Sequence, residues 1–210
     1  MDFAAAWRVA AALVATPALA DQLALLLEAA PRVAGGDSAT IYLRDQSSGA
    51  LRVLARYGYA PAGADTPRPG GVTERVFATG QPLVVNDARA DARVNKAVLA
   101  AGVRSFVALP LMARQSPGGT PAALRPIGVL YVNAKRAHAF DAETVETLAG
   151  LAALAAVAIE NGALLEAQRA AAERLAEALR AREQFASVAS HELKTPLTPL
   201  KGYLQAMQRR

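Results

Sequence analysis

The chain of 210 residues contains no cysteine. This absence excludes disulfide bonds, thiolate nucleophiles, cysteine-ligated zinc or iron–sulfur centres, and thioether-linked chromophores. Aromatic residues are also scarce, at 5% of the chain. Hydrophobic residues nevertheless make up 53% and charged residues 20%, so the chain can bury a core and does not have a disordered composition. Its length suits one ordinary domain with an additional segment, or two small domains.

Long hydrophobic runs are missing as well. The apolar run over residues 148–159 is too short to cross a bilayer. Residues 1–21 lack the basic beginning and the solid apolar stretch of a signal peptide. We therefore expect a soluble, cytoplasmic protein with no membrane span.

The positive charge is not concentrated in any run. Lysine and arginine number 15 against 13 acids in residues 1–163, and 8 against 5 in residues 164–210. A scattered excess of this kind favours a solvated, mildly basic surface over a nucleic-acid interface, so we expect no nucleic-acid partner. Nucleic-acid binding would instead show as an affinity that falls steeply with salt.

Hydrophobic periodicity predicts an α+β domain over residues 1–163, with a mostly antiparallel sheet and helices packed against it. The N-terminal region predicts two helical pieces broken near Pro17. Strands are predicted at 39–43, 51–56, 82–85, 104–112 and 127–132, short helices at 72–79 and 91–101, and loops at 60–71 and 113–126. Gly80 and Gly102 are placed to end the two short helices. From Asp141 the pattern is helical for about 50 residues, which is typical of a coiled coil or signalling stalk.

Several short sequence segments, taken in their order along the chain, resemble a GAF domain over about residues 10–163. They are residues 38–43, the Gly70–Gly80 helix, residues 86–91, 102–111 and 127–130, Phe140-Asp141, and the exit helix ending at Asn161. The resemblance implies a GAF-like sheet and a domain that binds a small molecule or only dimerises; the ligand is unknown. The fold alone does not fix the ligand.

The resemblance also narrows the chemistry of that domain. Cyclic-nucleotide-binding GAF domains carry Asn-Lys followed by Phe and Asp-Glu; this chain has Asn95-Lys96 without the rest, so we interpret the pair as helix surface. Bilin attachment and the sulfoxide reductase activity of some GAF proteins need cysteine and are excluded. His138 is interpreted as a solvated turn residue and not a haem ligand. The aromatic residues Trp7, Tyr42, Phe106 and Tyr131 are expected in the core and not in a pocket.

A linker helix is predicted over residues 164–182. Its seam positions are Leu165, Gln168, Ala172, Leu175, Leu179 and Arg182, flanked by charged residues. One alternative is a single solvated helix. We favour a parallel dimeric coiled coil, because an isolated helix has nothing else against which to bury its leucines, and polar seam residues fix register.

The pattern of residues 183–210 predicts a helix whose solvent-exposed face carries a candidate reactive side chain. At about 100° per residue, an apolar stripe runs from Phe185 to Met207, and His191 lies nearly opposite to it. A neutral imidazole is a good nucleophile with one free ring nitrogen. The neighbouring carboxylate of Glu192 could hold the proton on the other nitrogen and stabilise the cation formed on attack.

The string from Ser190 to Leu197 (SHELKTPL) closely resembles the phosphoacceptor box of sensor histidine kinases (HisKA). The resemblance implies that His191 is phosphorylated from ATP, that Glu192 is its acid/base partner, and that Thr195 positions water for dephosphorylation of a response regulator. The partners it implies are a second copy of the chain and a response regulator receiver domain.

ATP and Mg²⁺ would bind a further domain with Asn- and Gly-rich boxes, which these 210 residues do not contain; we expect no cofactor in this chain. The sequence is therefore expected to be either a fragment of a longer kinase or a truncated gene product. The hypothesis is the sensory and phosphoacceptor portion of a soluble two-component histidine kinase. The alternative is a non-catalytic GAF binding and dimerisation module with a relic kinase tail.

Overall fold

The computed structural model of the chain describes residues 11–12, 15–58, 66–114 and 124–207, with side chains up to Ala186. Its helices are α1 (Leu19–Ala34), α2 (Val72–Thr79), α3 (Lys96–Ala100) and α4 (Ala142–Met207), and its strands are β1 (Ser38–Arg44), β2 (Leu51–Tyr57), β3 (Leu83–Val85), β4 (Ser105–Arg114) and β5 (Leu124–Ala134). The chain divides into two compact units, residues 1–162 and 163–210.

The first unit is built on one sheet with strand order β2-β1-β5-β4-β3, in which every pair is antiparallel. Side chains alternate between the two faces of each strand, so a strand buried on both faces has a continuous apolar or small-residue sequence. Strand β1 is of this kind, with Ser38–Tyr42 buried throughout. Gly128 on β5 permits this close pairing, because a Cβ there would overlap the carbonyl oxygen of Tyr42.

Each face of the sheet has its own core. On one face, Ile41, Val107 and Leu130 pack with α1 and with the first part of α4. Helix α1 brings Leu23, Leu26, Leu27 and Ala30 to this cluster at helical spacing of three and four, as its sequence predicts. On the opposite face, a smaller cluster of Val76, Val94, Phe106 and Val129 lies between the sheet and helices α2 and α3.

The structure confirms the α+β class, the predicted break near Pro17 and helix 72–79. Gly80 adopts a left-handed conformation (φ 64°), and its N–H bonds the carbonyl of Val76. Strands β4 and β5 extend beyond the predicted ends into the predicted 113–126 loop. Residues 59–65 and 115–123 of the predicted loops lie outside the described residues.

The predicted helix 91–101 is wrong over its first half. Residues 91–95 form turns, and helix α3 begins at Lys96. The cause is local: the carboxylate of Asp91 accepts from the N–H of Arg93, and the side chain of Asn95 accepts from the N–H of Ala97. Side-chain acceptors at these offsets compete with helix formation and then cap the helix that follows.

Helix α4 has 66 residues, longer than the predicted 50 or so. Asp141 precedes it and accepts a hydrogen bond from the N–H of Thr144 at 2.8 Å. Among the described residues, the stretch Ala142–Ala186 is long and apolar enough to cross a membrane by length and composition alone. Within the first unit, however, it buries Leu148, Leu151 and Ile159 in the core, as a core helix of a globular domain does. A membrane span is therefore not shown.

In the second unit, helix α4 exposes large apolar side chains. Leu165, Leu175 and Leu179 are 45%, 63% and 49% exposed, and Phe185 is 76% exposed. Leu164 is likewise exposed. The predicted seam residues thus have no intramolecular cover, which fits both a single solvated helix and a coiled coil with a second chain.

Candidate functional site

A cavity of about 90 Å³ opens between the sheet and helices α2 and α3, within the first unit. At roughly 10–15 Å³ for each water, it has room for several waters or for part of a small ligand. Its lining combines three kinds of residue: buried polar side chains, aromatic rings, and arginines. No aspartate or glutamate is among its described lining residues.

The pairing of the strands determines which side chains form the floor of the cavity. Thr40 on β1 pairs with Arg56 on β2 and with Tyr131 on β5, so these side chains form a row across one face. Next to that row, Asn133 pairs with Ser38 and Phe106. Ala108, opposite Tyr131, adds little bulk to the face. Neutral polar side chains therefore lie side by side on two central strands, Ser38 and Thr40 on β1 and Tyr131 and Asn133 on β5.

Three rings form what we call the aromatic wall: Tyr42, Phe106 and Tyr131. The rings of Tyr42 and Tyr131 meet edge to face, with centroids 5.7 Å apart, and Phe106 is 5.6 Å from Tyr131. Edge-to-face and offset pairs are the favoured aromatic geometries. The wall is therefore a packed surface against which a flat ligand could lie.

Tyr131 joins the sheet to helix α2. Its hydroxyl and that of Thr73 are 2.9 Å apart and share a hydrogen bond. Burial raises the pKa of the Tyr131 phenol well above its ordinary value, although the bond to Thr73 opposes this. Tyr131 is therefore neutral at physiological pH and serves the cavity as a hydroxyl donor or acceptor.

Two polar side chains on the floor are more than nine-tenths buried. Asn133 is 8% exposed, and its amide nitrogen donates to the hydroxyl of Ser38 at 3.2 Å. Thr40 is also 8% exposed, and its hydroxyl bonds to none of the residues that the structure describes. The Thr40 oxygen is not among the buried side-chain atoms without a partner in the described part of the chain, so it remains accessible from the cavity. The hydroxyl of Thr40 therefore has hydrogen-bonding capacity available to an occupant of the cavity.

Three arginines, Arg56, Arg68 and Arg93, also line the cavity and are exposed to solvent; we call them the arginine rim. Arg93 is paired with the carboxylate of Asp91, with Nε 2.8 Å from Oδ1. This pairing lowers the pKa of Asp91 and raises that of Arg93. The solvent-facing side of the cavity therefore carries arginines, one of them paired with a carboxylate, while its floor is lined by neutral groups.

The sequence analysis missed this cavity. Tyr42 and Phe106 are buried and Tyr131 is partly buried against the core, as expected, but all three also line the cavity, so the prediction was wrong in keeping them out of a pocket. Asn95, interpreted as helix surface, is half-buried, caps α3 and lines the cavity. His138 is exposed in a turn, as predicted. Trp7 lies outside the described residues.

The predicted phosphoacceptor residues lie on helix α4 in the second unit. The backbone is helical at His191, Glu192 and Thr195, but their side chains lie outside the described residues. Their roles remain predictions. In the part of the chain with described side chains, no cluster of His, Asp and Glu could hold a metal ion.

Comparison with known proteins identifies both units. The family model for the GAF domain matches residues 18–160, and the model for the His Kinase A (phospho-acceptor) domain matches residues 181–210. No protein of curated function is significantly similar to the chain in sequence.

Solved structures share the fold of the first unit. The GAF domain of an Acinetobacter phosphoenolpyruvate-protein phosphotransferase has a TM-score of 0.64 at 19% identity, covering 78% of this chain and 95% of its own. Free methionine-R-sulfoxide reductase from Neisseria meningitidis, in complex with its substrate, has a TM-score of 0.63 at 22% identity, and the match covers 77% of this chain and 89% of the reductase chain. A domain of a candidate two-component sensor histidine kinase protein from Sinorhizobium meliloti 1021 has a TM-score of 0.56 at 19% identity, and the match covers 73% of this chain and 99% of that domain.

At these identities the similarity of structure shows the fold alone. The two matched segments, a sensory domain followed by a phospho-acceptor segment, are those of a signalling protein of the sensor histidine kinase type. The chain therefore belongs to the GAF domain family and carries a His Kinase A phospho-acceptor segment after its GAF domain.

Proposed function

We propose that this chain is the sensory and phosphoacceptor portion of a two-component histidine kinase, and that His191 receives phosphate from ATP. The observation that supports it is the order of the matched segments: residues 181–210 match the phospho-acceptor domain, and they follow a GAF domain on one continuous helix. The string around His191 supplies the residue types that the transfer needs.

The proposed transfer uses His191 as nucleophile. A free ring nitrogen attacks the γ-phosphorus of ATP, a phosphorus–nitrogen bond forms, and the bond to the bridging oxygen of ADP breaks. The proton on the other ring nitrogen is held by the carboxylate of Glu192, which stabilises the positive charge that develops on the imidazole. ATP and Mg²⁺ are bound by a separate ATP-binding domain, and the phosphoryl group passes on to an aspartate of a response regulator.

Two further steps complete the proposal. Thr195 positions water for removal of phosphate from the response regulator, one turn of helix after His191. A ligand in the GAF cavity changes the packing or register of the paired α4 helices and so moves His191 toward or away from the ATP-binding domain. The chain acts as a cytoplasmic homodimer paired through α4.

The experiment supplies an ATP-binding domain in trans and follows transfer of labelled γ-phosphate to the 210-residue chain. The chain has two histidines, so a matched pair of variants is available. His191→Gln should abolish labelling, whereas His138→Gln, in an exposed turn of the GAF domain, should label like the wild type. Because a phosphorus–nitrogen bond is acid-labile, the wild-type label should be lost in acid and kept in alkali.

Unchanged labelling of His191→Gln would sink the assignment of the acceptor. A wild-type chain that accepts no phosphate from any complementing domain, while folded by circular dichroism, would favour the alternative of a GAF binding and dimerisation module.

A further inference from the structure

A short segment, residues 135–140, joins strand β5 to helix α4; we call it the connector. It leads directly into the helix that carries the proposed phosphoacceptor. Within it, His138 has a backbone φ of 53°, the one left-handed backbone conformation at a non-glycine residue in the described part of the chain. This conformation is unfavourable for a residue with a Cβ, and it persists where surrounding contacts impose it. The connector is therefore held in its conformation by its neighbours.

The hydroxyl of Ser105 supplies two of those contacts. This side chain is fully buried at the first residue of β4, and its oxygen donates to the carbonyl of Arg136 at 2.7 Å. The same oxygen accepts from the N–H of Ala139 over a longer distance, 3.4 Å. A hydroxyl has one donor and two acceptor positions, so it can make both bonds at once. One side chain thus bonds to the connector on both sides of its left-handed residue.

The connector has other contacts, but they lie at exposed residues. His138 takes part through its backbone, since its N–H donates to the carbonyl of Asn86 at 2.8 Å. The N–H of Lys135 donates to the carboxylate of Asp37 at 2.8 Å. All four of these residues are exposed to solvent, where water can replace a lost partner. The buried hydroxyl of Ser105 is therefore the contact whose removal should loosen the connector most.

The position of Ser105 connects the cavity with the start of α4. The next pair of residues along the same two strands, Phe106 and Asn133, lines the cavity. At the other end of the connector, Phe140 is buried in the core and Asp141 caps the first turn of α4. A change in the conformation of the connector would therefore alter how α4 begins.

We propose that Ser105 is a positioning residue for phosphotransfer, whose buried hydroxyl holds the connector in its left-handed conformation and so fixes the start of helix α4. Without that hydroxyl the connector relaxes and α4 begins in more than one arrangement. Only a fraction of these arrangements presents His191 for transfer. The inference rests on the proposed function, because it concerns how the GAF domain controls that reaction.

Amide hydrogen exchange of the 210-residue chain, followed by NMR, tests the hold on the connector without any phosphotransfer. In Ser105→Ala, the amides of His138 and of Val145, in the first turn of α4, should exchange about tenfold faster than in the wild type. Ser105→Thr keeps the hydroxyl and should restore the wild-type rates. Ser48→Ala removes a serine hydroxyl from the exposed turn after β1 and should leave both rates unchanged.

Labelling of His191 by an ATP-binding domain in trans tests the consequence for transfer, in chains shown to be folded by circular dichroism. Ser105→Ala should lower the maximal labelling rate about threefold, because fewer chains present the acceptor. The concentration of the domain that gives half the maximal rate should not change, because the substitution is buried and alters no exposed surface. Ser105→Thr and Ser48→Ala should label like the wild type.

Wild-type exchange at His138 and Val145 in Ser105→Ala would overturn the proposed hold on the connector. Faster exchange throughout the sheet would also overturn it, because it would show a general loss of stability. Faster exchange at these two amides with unchanged labelling would overturn the positioning role. A wild-type chain that never accepts phosphate would instead remove the proposed function, while faster exchange in Ser105→Ala would still support the hold of Ser105 on the start of α4.

Discussion

At the residue scale, Tyr131 connects the central sheet, helix α2 and the cavity through one shared hydrogen bond with Thr73. Tyr131→Phe removes that bond and leaves the hydroxyl of Thr73, itself 8% exposed, without its partner. We expect a loss of about 1–2 kcal/mol in the free energy of unfolding, measured by urea denaturation. Tyr57→Phe, on the edge strand β2, is the control and should cost less than about 0.5 kcal/mol. Equal losses in the two variants would contradict the role given to the shared bond.

Ionisation of Tyr131 should also make the free energy of unfolding depend on pH. Because burial raises the pKa of Tyr131 in the folded chain, its contribution is fully present below the ordinary tyrosine pKa of about 10. As pH rises above that value, the unfolded chain ionises while the folded chain does not, so stability falls. In the Tyr131→Phe series this alkaline fall should be shallower than in the wild type, which the same urea curves at rising pH would measure.

At the element scale, helix α4 begins at a side-chain cap. The carboxylate of Asp141 accepts from the N–H of Thr144, and the side chain and backbone of Thr144 hold the pKa of that carboxyl below its ordinary value. Asp141→Ala should lower Tm by a few degrees at neutral pH, measured by the loss of helical circular dichroism on heating. A depressed pKa stabilises above the ordinary value of about 4, and this stabilisation is lost as pH falls through the folded value. The deficit of the variant should therefore shrink in acid.

Asp141→Asn provides the control for that interpretation. Its amide oxygen can still cap the helix, so most of the Tm should be kept at neutral pH, and the small remaining deficit, which reflects the lost charge, should disappear as the wild-type carboxylate is protonated in acid. A deficit in Asp141→Ala that stays constant from neutral to acid pH would show that the carboxylate is not the stabilising group.

Elements were predictable wherever one physical signal dominated. Helix α1 and strand β1 follow from leucine spacing and from a short buried run, and Gly80 ends α2 because its left-handed conformation suits glycine. The turns at residues 91–95 were not predictable. The short side chains of Asp91 and Asn95 compete with helical hydrogen bonds, and local contacts decide whether such side chains bond to the backbone.

The cavity was missed for a different reason. Burial and a pocket role were treated as alternatives for Tyr42, Phe106 and Tyr131, whereas a ring can pack against one neighbour and line a cavity with its other side. The signal that could have found the site is the placing of Ser38, Thr40 and Asn133 on alternate positions of strands otherwise apolar. Polar groups in buried strands need partners, and the pairing of distant strands that supplies them is not visible in local periodicity.

At the scale of the whole molecule, the exposed leucines of the second unit form an apolar surface that a second copy of the helix could cover. Leu165, Leu175 and Leu179 are all at least 45% exposed on a helix, and burying each would contribute roughly 1.5–3 kcal/mol. A second copy of the same helix places the same stripe opposite its own, with Gln168 and Arg182 in the seam to fix the register. We therefore expect the chain of 21.8 kDa to behave as a dimer in size-exclusion chromatography with light scattering.

Substitution within the seam tests whether that stripe joins the two copies. Leu175→Glu puts a charge between the helices, where its desolvation opposes pairing, and should shift the mass toward that of a monomer. Ala170→Glu adds the same charge on the opposite side of the helix and should leave the dimer intact. A Leu175→Glu chain that keeps the dimer mass would place the contact between copies elsewhere. His191, the proposed phosphoacceptor, would then lack the paired helix through which the GAF domain is proposed to move it.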